Sequence, residues 1–402
     1  MAISKDELID ELLTRGVENI YPSRDFLKSR LLSGERLTVY LGADPSTPTL
    51  HIGHTAPLRK LALFQQLGHQ AIFLMGDFTA MIGDPDKLSV RVPLSRDQVL
   101  ANSKLYKDQV SLFVKFDGEN PAQFKWNSEW LSRLTFSDVV SLASHMTVQQ
   151  MLERDMFQRR IKEERPIYLH EFMYPLMQGY DSVAMEVDGE VGGNDQTFNM
   201  LAGRTLLRQL KGKEKFVITT KLLADTDGVK MGKTTGNMVS LTDVPEDMFG
   251  KIMSWSDGMI IPGFELCTNI PSEAVFAIQQ ELASGANPRD IKMKLAHEVV
   301  SQLVSLAAAD KARDYFIATI QHKEIPSEIE TVNTRKGALL RDLLLEQSMI
   351  SSKSDFARLL KEGAVSVHIG DTAMKIEEVT FVVDQDMVVK VGKRRFLKIN
   401  VS

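Results

Sequence analysis

Between Leu37 and Met75 the apolar residues change their period twice, and this constrains the fold more than any other feature of the chain. Leu37 to Leu41 is a short apolar run that stops at Gly42. A loop of Pro, Ser and Thr follows, and apolar positions then recur at helical spacing from Thr55 through Leu58, Leu61 and Ala62 to Gln65. After Gly68 a second run, Ala71 to Met75, leads into another glycine-punctuated loop. Strand, helix and strand at this spacing need a crossover connection, so the sequence predicts a parallel α/β sheet. The pattern resumes with a helix from about Tyr168 to Val183, a strand at Ala184 to Val187, a helix from Asp195 to Leu210 and a strand at Phe216 to Thr219. Residues 3–33 read as helices. The charged stretch 97–165 reads as mostly helical, either an insertion or a subunit-contact region.

Beyond residue 220 the pattern changes. Residues 247–318 are helical in period, with breaks expected at Pro262, Pro271 and Pro288. A polar linker is expected at 322–336, followed by two short helices, 339–347 and 354–362, and by strand-like runs ending at 388–401. These shifts divide the 402 residues into three expected domains: 1–220 with its excursion at about 97–165, 221–325, and 337–402. The net charge of −5 argues against a surface coated in nucleic-acid-binding cations, although residues 331–402 carry twelve Lys or Arg against nine Asp or Glu. Any RNA contact is therefore expected to be local and near the carboxyl end. With Cys267 as the only cysteine, neither a disulfide nor a thiolate zinc cluster is expected. The first residues have no apolar core and no run of about 18 apolar residues occurs, so a cytoplasmic protein without a membrane segment is the expectation.

The chemistry concentrates in two loops. His51 and His54 open the first crossover helix three residues apart, where backbone N–H groups and the helix dipole favour a phosphate. Imidazoles there can donate to a phosphate oxygen as charge builds in a transition state, and Gly53 between them leaves room for a nucleotide. A capped helix start with two incidental histidines, or a zinc site, would use some of the same letters. The second loop, Lys230-Met231-Gly232-Lys233-Thr234, lies in a polar segment without apolar period. Its lysines suit the neutralisation of pyrophosphate, although a solvated turn has the same composition.

Together these loops resemble the HIGH and KMSKS signatures of class I aminoacyl-tRNA synthetases, in that chain order. The resemblance sharpens to the bacterial-type tyrosyl-tRNA synthetases through Tyr40 to His54, Gly76 to Pro85, Tyr174 to Asp181, Gly192 to Asn199 and Lys230 to Thr234. It implies a Rossmann-like catalytic domain, an α-helical domain and a small α+β RNA-binding domain of ribosomal-protein type. His51, His54, Lys230 and Lys233 would be catalytic, and Gly42, Asp44, Gly53, Gly192, Asp195, Met231 and Thr234 would meet ATP. Tyr40 and Asp181 would bond the substrate phenol. Tyr174, Asp84 and Gln178 would hold its ammonium group, with Gln196 close by.

The residues agree with the last of these assignments, because Tyr174, Gln178 and Asp181 share a helix face at i, i+4 and i+7 while Tyr180 points elsewhere. A site that bonds a hydroxyl disfavours phenylalanine by leaving its own groups unpaired, an effect for which tyrosyl-tRNA synthetases are the standard example. ATP with Mg2+ is expected as substrate, with no bound cofactor or protein metal site. Tyrosine, tRNA(Tyr) and a second copy of the chain are the implied partners. Lys87 and Arg91 could reach phosphates. The rival readings are the tryptophan enzyme of the same class, a nucleotidyltransferase acting on a small metabolite, and an RNA-binding descendant without activity.

Overall fold

The computed structural model describes residues 4–84, 94–224, 238–321, 329–369, 372–392 and 395–402. They form two compact units, one of residues 1–243 and 255–295, the other of 244–254 and 296–402.

The first unit is built on a six-stranded sheet: β1 (Val17–Tyr21), β2 (Thr38–Ala43), β3 (Gln70–Met75), β4 (Gln123–Trp126), β5 (Gly189–Gly193) and β6 (Phe216–Thr220). Its order is β1-β6-β5-β2-β3-β4, with β1 antiparallel to β6 and every other pair parallel. All five residues of β6 and the last five of β3 are buried, as strands covered on both faces require. The strand order reverses between β2 and β5. In a doubly wound sheet, ligands bind at the carboxyl ends of the strands flanking that point.

Three helices cover the region around it. Thr55–Gln66 follows β2 and buries Leu58, Leu61 and Phe64, the last stacked on Phe216 with ring centroids 5.6 Å apart. Met173–Met185 packs closely on Thr197–Lys211 because both carry glycine at the crossing. A Cβ on Gly179 would lie 2.7 Å from Leu206 and 3.2 Å from the Gly203 nitrogen.

Some expected elements are corrected. The stretch 3–33 is two helices, Lys5–Thr14 and Arg24–Leu32, separated by β1, an edge strand whose five residues are too few and too polar to show alternation. The charged stretch 97–165 is largely short helices but contains β4. The strand expected at 184–187 lies later, at 189–193. The preceding helix runs on to Met185 and ends with Glu186 in the left-handed conformation, φ 49°. Three of the five β5 residues are glycine, which hides a strand that both neighbours pair with in parallel.

In the second unit the helices Pro245–Met253 and Leu306–Phe316 meet through Phe249 and Phe316. Its carboxyl-terminal part holds two short helices, Leu340–Glu346 and Lys353–Lys361, and a five-stranded sheet. The sheet runs in the order Thr372–Lys375, Val365–Ile369, Met387–Val391, Arg395–Val401, Thr331–Thr334. Its core includes Leu344, Phe356, Val367, Val389 and Leu397. The last-named edge strand falls inside the expected polar linker, and it pairs in parallel with Arg395–Val401. Among the described residues no helix is long and apolar enough to cross a membrane.

Candidate active site

A cavity of about 880 Å³ opens at the reversal point of the first sheet, between the carboxyl ends of β2 and β5. Every predicted site residue within the described chain lines it: Tyr40, Gly42 and Asp44 from β2 and its loop, His51, Gly53 and His54 from the helix entry, and Asp84 from the loop after β3. Tyr174, Gln178 and Asp181 come from one helix, and Gly192, Asp195 and Gln196 from the end of β5. Lys230, Met231, Lys233 and Thr234 lie outside the described residues, as do Lys87 and Arg91.

The histidine turn is a 3-10 turn, Ile52–His54, with His51 in extended conformation as its N-cap. The Gly53 N–H donates to His51 Nδ1 at 3.1 Å, so the neutral His51 ring carries its proton on Nε2. His54 Nδ1 sits 3.2 Å from the His51 nitrogen and 3.1 Å from its carbonyl oxygen, and the two ring centroids are 4.0 Å apart. Any side chain at position 53 would press on this arrangement, since a Cβ there would lie 2.9 Å from the His51 ring. Burial lowers the His54 pKa, which favours the neutral imidazole, against the opposing pull of the His51 carbonyl and Asp195. The loop is held from outside by Val239 and Leu241, whose backbone bonds Ile52 and Leu50 at 2.9 Å each. Leu222 and Met238, on either side of residues 225–237, also line the cavity.

At the opposite end the polar groups converge. Asp181 is buried and accepts from Trp130 Nε1 at 2.7 Å and Asn127 Nδ2 at 3.3 Å. Burial nevertheless raises its pKa well above the ordinary carboxyl range, with Glu190 and Asp44 adding to the shift against those two donors. Tyr40 is fully buried with its hydroxyl 3.0 Å from Ser182 Oγ, and Tyr174 donates to Asp44 Oδ2 at 2.8 Å. Both phenols are pushed well above their usual pKa by burial and then by nearby carboxylates, so both remain O–H groups. Tyr180, expected to point elsewhere, packs with Leu142, Leu176 and Leu206.

Two carboxylates have partners that sequence reasoning missed. Asp84 forms a buried ion pair with Arg154 at 3.0 Å and accepts from Gln196 at 3.1 Å and Asn199 at 3.2 Å. Glu190 pairs with fully buried Lys215 and accepts from Gln178 Nε2 at 3.1 Å. Arg154 stands in a run of charge that looks like a solvated helix face, and Lys215 immediately precedes an apolar strand. Neither position carries a local signal. Trp130 and Asn127 follow β4, the strand hidden in the charged excursion. The described residues hold no group of three or more His, Cys, Asp or Glu placed to hold a metal.

Residues 32–321 match the family described as tRNA synthetases class I (W and Y), and the chain belongs to that family. The chain is 44% identical to the tyrosine–tRNA ligase of Carboxydothermus hydrogenoformans, over 97% of each chain. It is 41% identical to that of Haemophilus ducreyi over the whole length of both. Within the class it is a member of the tyrosine–tRNA ligases of bacterial type, enzymes that activate tyrosine with ATP and transfer it to tRNA(Tyr). Solved structures agree on the fold. A mitochondrial tyrosyl-tRNA synthetase of Coccidioides posadasii superposes with a TM-score of 0.61 at 24% identity, covering 78% of this chain and 92% of that one. The Archaeoglobus fulgidus enzyme, solved with L-tyrosine, gives 0.60 at 22% identity, covering 77% and 100%.

Proposed function

We propose that the cavity divides into a tyrosine end and a nucleotide end, and that the reaction takes place where they meet. Tyrosine enters with its phenol toward Tyr40 and Asp181 and its ammonium group toward Tyr174, Gln178 and Asp84, while Gln196 borders the same space. ATP lies along Gly42, Asp44 and Gly53, with its ribose against Gly192 and Asp195. The tyrosine carboxylate attacks the α-phosphate, and His51 and His54 donate to the oxygens that gain charge as that phosphate becomes five-coordinate. Lys230 and Lys233, supported by Met231 and Thr234, neutralise the leaving pyrophosphate. Mg2+ carried with ATP would supply further charge neutralisation to the pyrophosphate. The tRNA terminal hydroxyl then attacks the activated carbonyl, which releases AMP and needs no covalent enzyme intermediate.

The observation that carries this reading is the position of the histidine turn and the Asp181 cluster at one cavity, at the reversal point of the sheet. A phosphate-directed end and a hydroxyl-directed end share one space, as adenylation of tyrosine requires. The polar cluster also favours tyrosine over tryptophan, since a phenol hydroxyl can donate to Asp181 while accepting from Tyr40, whereas an indole N–H only donates.

Residues 337–402 form the RNA-binding domain in this reading, with Lys390 and the basic finish at 393–395 following the tRNA backbone. The enzyme acts in the cytoplasm as a homodimer. Incubation with ATP, labelled tyrosine and bacterial tRNA(Tyr) tests the whole scheme. Acid-precipitable tyrosine that forms only with tRNA(Tyr), and less readily as salt rises, is the expected result. No charging would refute it.

A further inference from the structure

At the tyrosine end lies a charged pair that no assigned role explains: Glu190 lines the cavity and Lys215 stands behind it. The Lys215 side chain is fully buried and Glu190 is 3% exposed. Removing two charges from water is costly unless their geometry is satisfied, and each here has further partners. Lys215 Nζ donates to Glu190 Oε2 and, at 2.8 Å, to Ser182 Oγ, and it sits 5.8 Å from the centre of the Tyr40 ring. Space for the ammonium comes from Gly203, where a Cβ would stand 2.7 Å from Nζ.

The other Glu190 oxygen faces Gln178. An ionised carboxylate only accepts hydrogen bonds, so the Gln178 atom 3.1 Å from Glu190 Oε1 is the amide nitrogen. That choice turns the Gln178 carbonyl oxygen, a pure acceptor, toward the rest of its surroundings. Gln178 lines the cavity. A substrate ammonium group has three donors and no acceptor, so it needs this orientation and is repelled by the opposite one.

We propose that Lys215 is a positioning residue for tyrosine recognition: by occupying Glu190 Oε2 it leaves Oε1 to accept from the Gln178 amide nitrogen, which fixes that amide with its oxygen toward the substrate ammonium. Lys215 does not line the cavity and acts through Glu190 and Gln178. Without Lys215 the amide loses its reason to prefer one face. The proposal rests on the assignment of Gln178 to the ammonium group made above.

Tyrosine-dependent ATP–pyrophosphate exchange tests it in the full-length enzyme, with KM for tyrosine and for ATP measured separately. The variants are Lys215→Met, Gln178→Ala and the two combined. K215M is expected to raise the tyrosine KM about tenfold while the ATP KM stays within twofold, the order of one well-placed hydrogen bond to a charged group. Because both act through one amide, the combined variant is expected to match Q178A alone. Additive effects, or a tyrosine KM that K215M leaves unchanged, overturn the proposal. So does an equal rise in the ATP KM, which is what a general loss of structure would give.

If K215M does not fold, K215M/E190Q removes both charges together. A glutamine at 190 can donate or accept, so the tyrosine KM is again expected to rise, and no rise overturns the proposal. Two controls separate this inference from its foundation. Wild-type exchange without response to tyrosine, or a Q178A variant with unchanged tyrosine KM, would sink the assignment of Gln178 itself.

Discussion

Tyr174 donates its hydroxyl to Asp44 Oδ2 across 2.8 Å, and Thr79 donates to Asp44 Oδ1 at 2.7 Å. This joins the end of β2, where the loop proposed to meet ATP begins, to the helix that carries Gln178 and Asp181, proposed to meet tyrosine. Asp44 therefore belongs structurally to both ends of the cavity. The same carboxylate that begins the proposed phosphate loop orients the phenol oxygen proposed to meet the substrate ammonium.

Tyr174→Phe should accordingly affect tyrosine use more than stability. The variant removes one donor to Asp44 and one acceptor for the ammonium, a loss of about 1–3 kcal/mol. Steady-state exchange kinetics should show tyrosine kcat/KM falling by roughly 5- to 150-fold. An unchanged value would remove Tyr174 from substrate binding.

Tyr40→Phe tests the phenol end. The Tyr40 hydroxyl is buried beside Ser182, and its loss should weaken tyrosine by about 0.5–1.5 kcal/mol while leaving phenylalanine use unaffected or improved. The ratio of the two kcat/KM values is the measurement. Equal effects on both amino acids would show that Tyr40 senses packing rather than the hydroxyl.

Arg154→Met should be strongly destabilising. Arg154 and Asp84 are 7% and 8% exposed, and removing one partner of a buried pair leaves an uncompensated charge, at a cost of about 3–5 kcal/mol. Urea unfolding of R154M, and of R154M with Asp84→Asn, is the check. The double variant should recover part of the loss; if the single change costs under about 1 kcal/mol, Asp84 does not depend on Arg154.

The pH dependence of stability carries a signature of His54. Its folded pKa lies below the unfolded value of about 6.5, so the unfolded chain takes up the proton first as pH falls. The stabilising contribution is thus fully present above about pH 6.5 and is lost as pH drops through the folded pKa. Between pH 7.5 and 5 the wild-type melting temperature should fall more steeply than that of His54→Asn. Parallel curves would contradict the shift.

What the sequence revealed, and what it hid, follows from how local each signal is. The crossover from β2 through Thr55–Gln66 to β3 was legible because apolar period, glycine stops and the histidine turn coincide within 40 residues. The shared face of Tyr174, Gln178 and Asp181 was legible from helical spacing. β5 was not, because its glycines are selected by close packing on neighbours such as Phe216, whose ring lies 2.0 Å from where a Gly189 Cβ would stand. Arg154 and Lys215 were hidden for a related reason. Each is separated from its carboxylate by 25 residues or more, and only the tertiary fold shows that it is buried.

The most direct test of the central claim is ATP–pyrophosphate exchange by the purified full-length protein with each of the twenty amino acids in turn. The proposed roles of Tyr40 and Asp181 at the substrate hydroxyl and of His51 and His54 at the phosphate predict exchange with tyrosine alone. Exchange driven by tryptophan, or none with any amino acid, would contradict it.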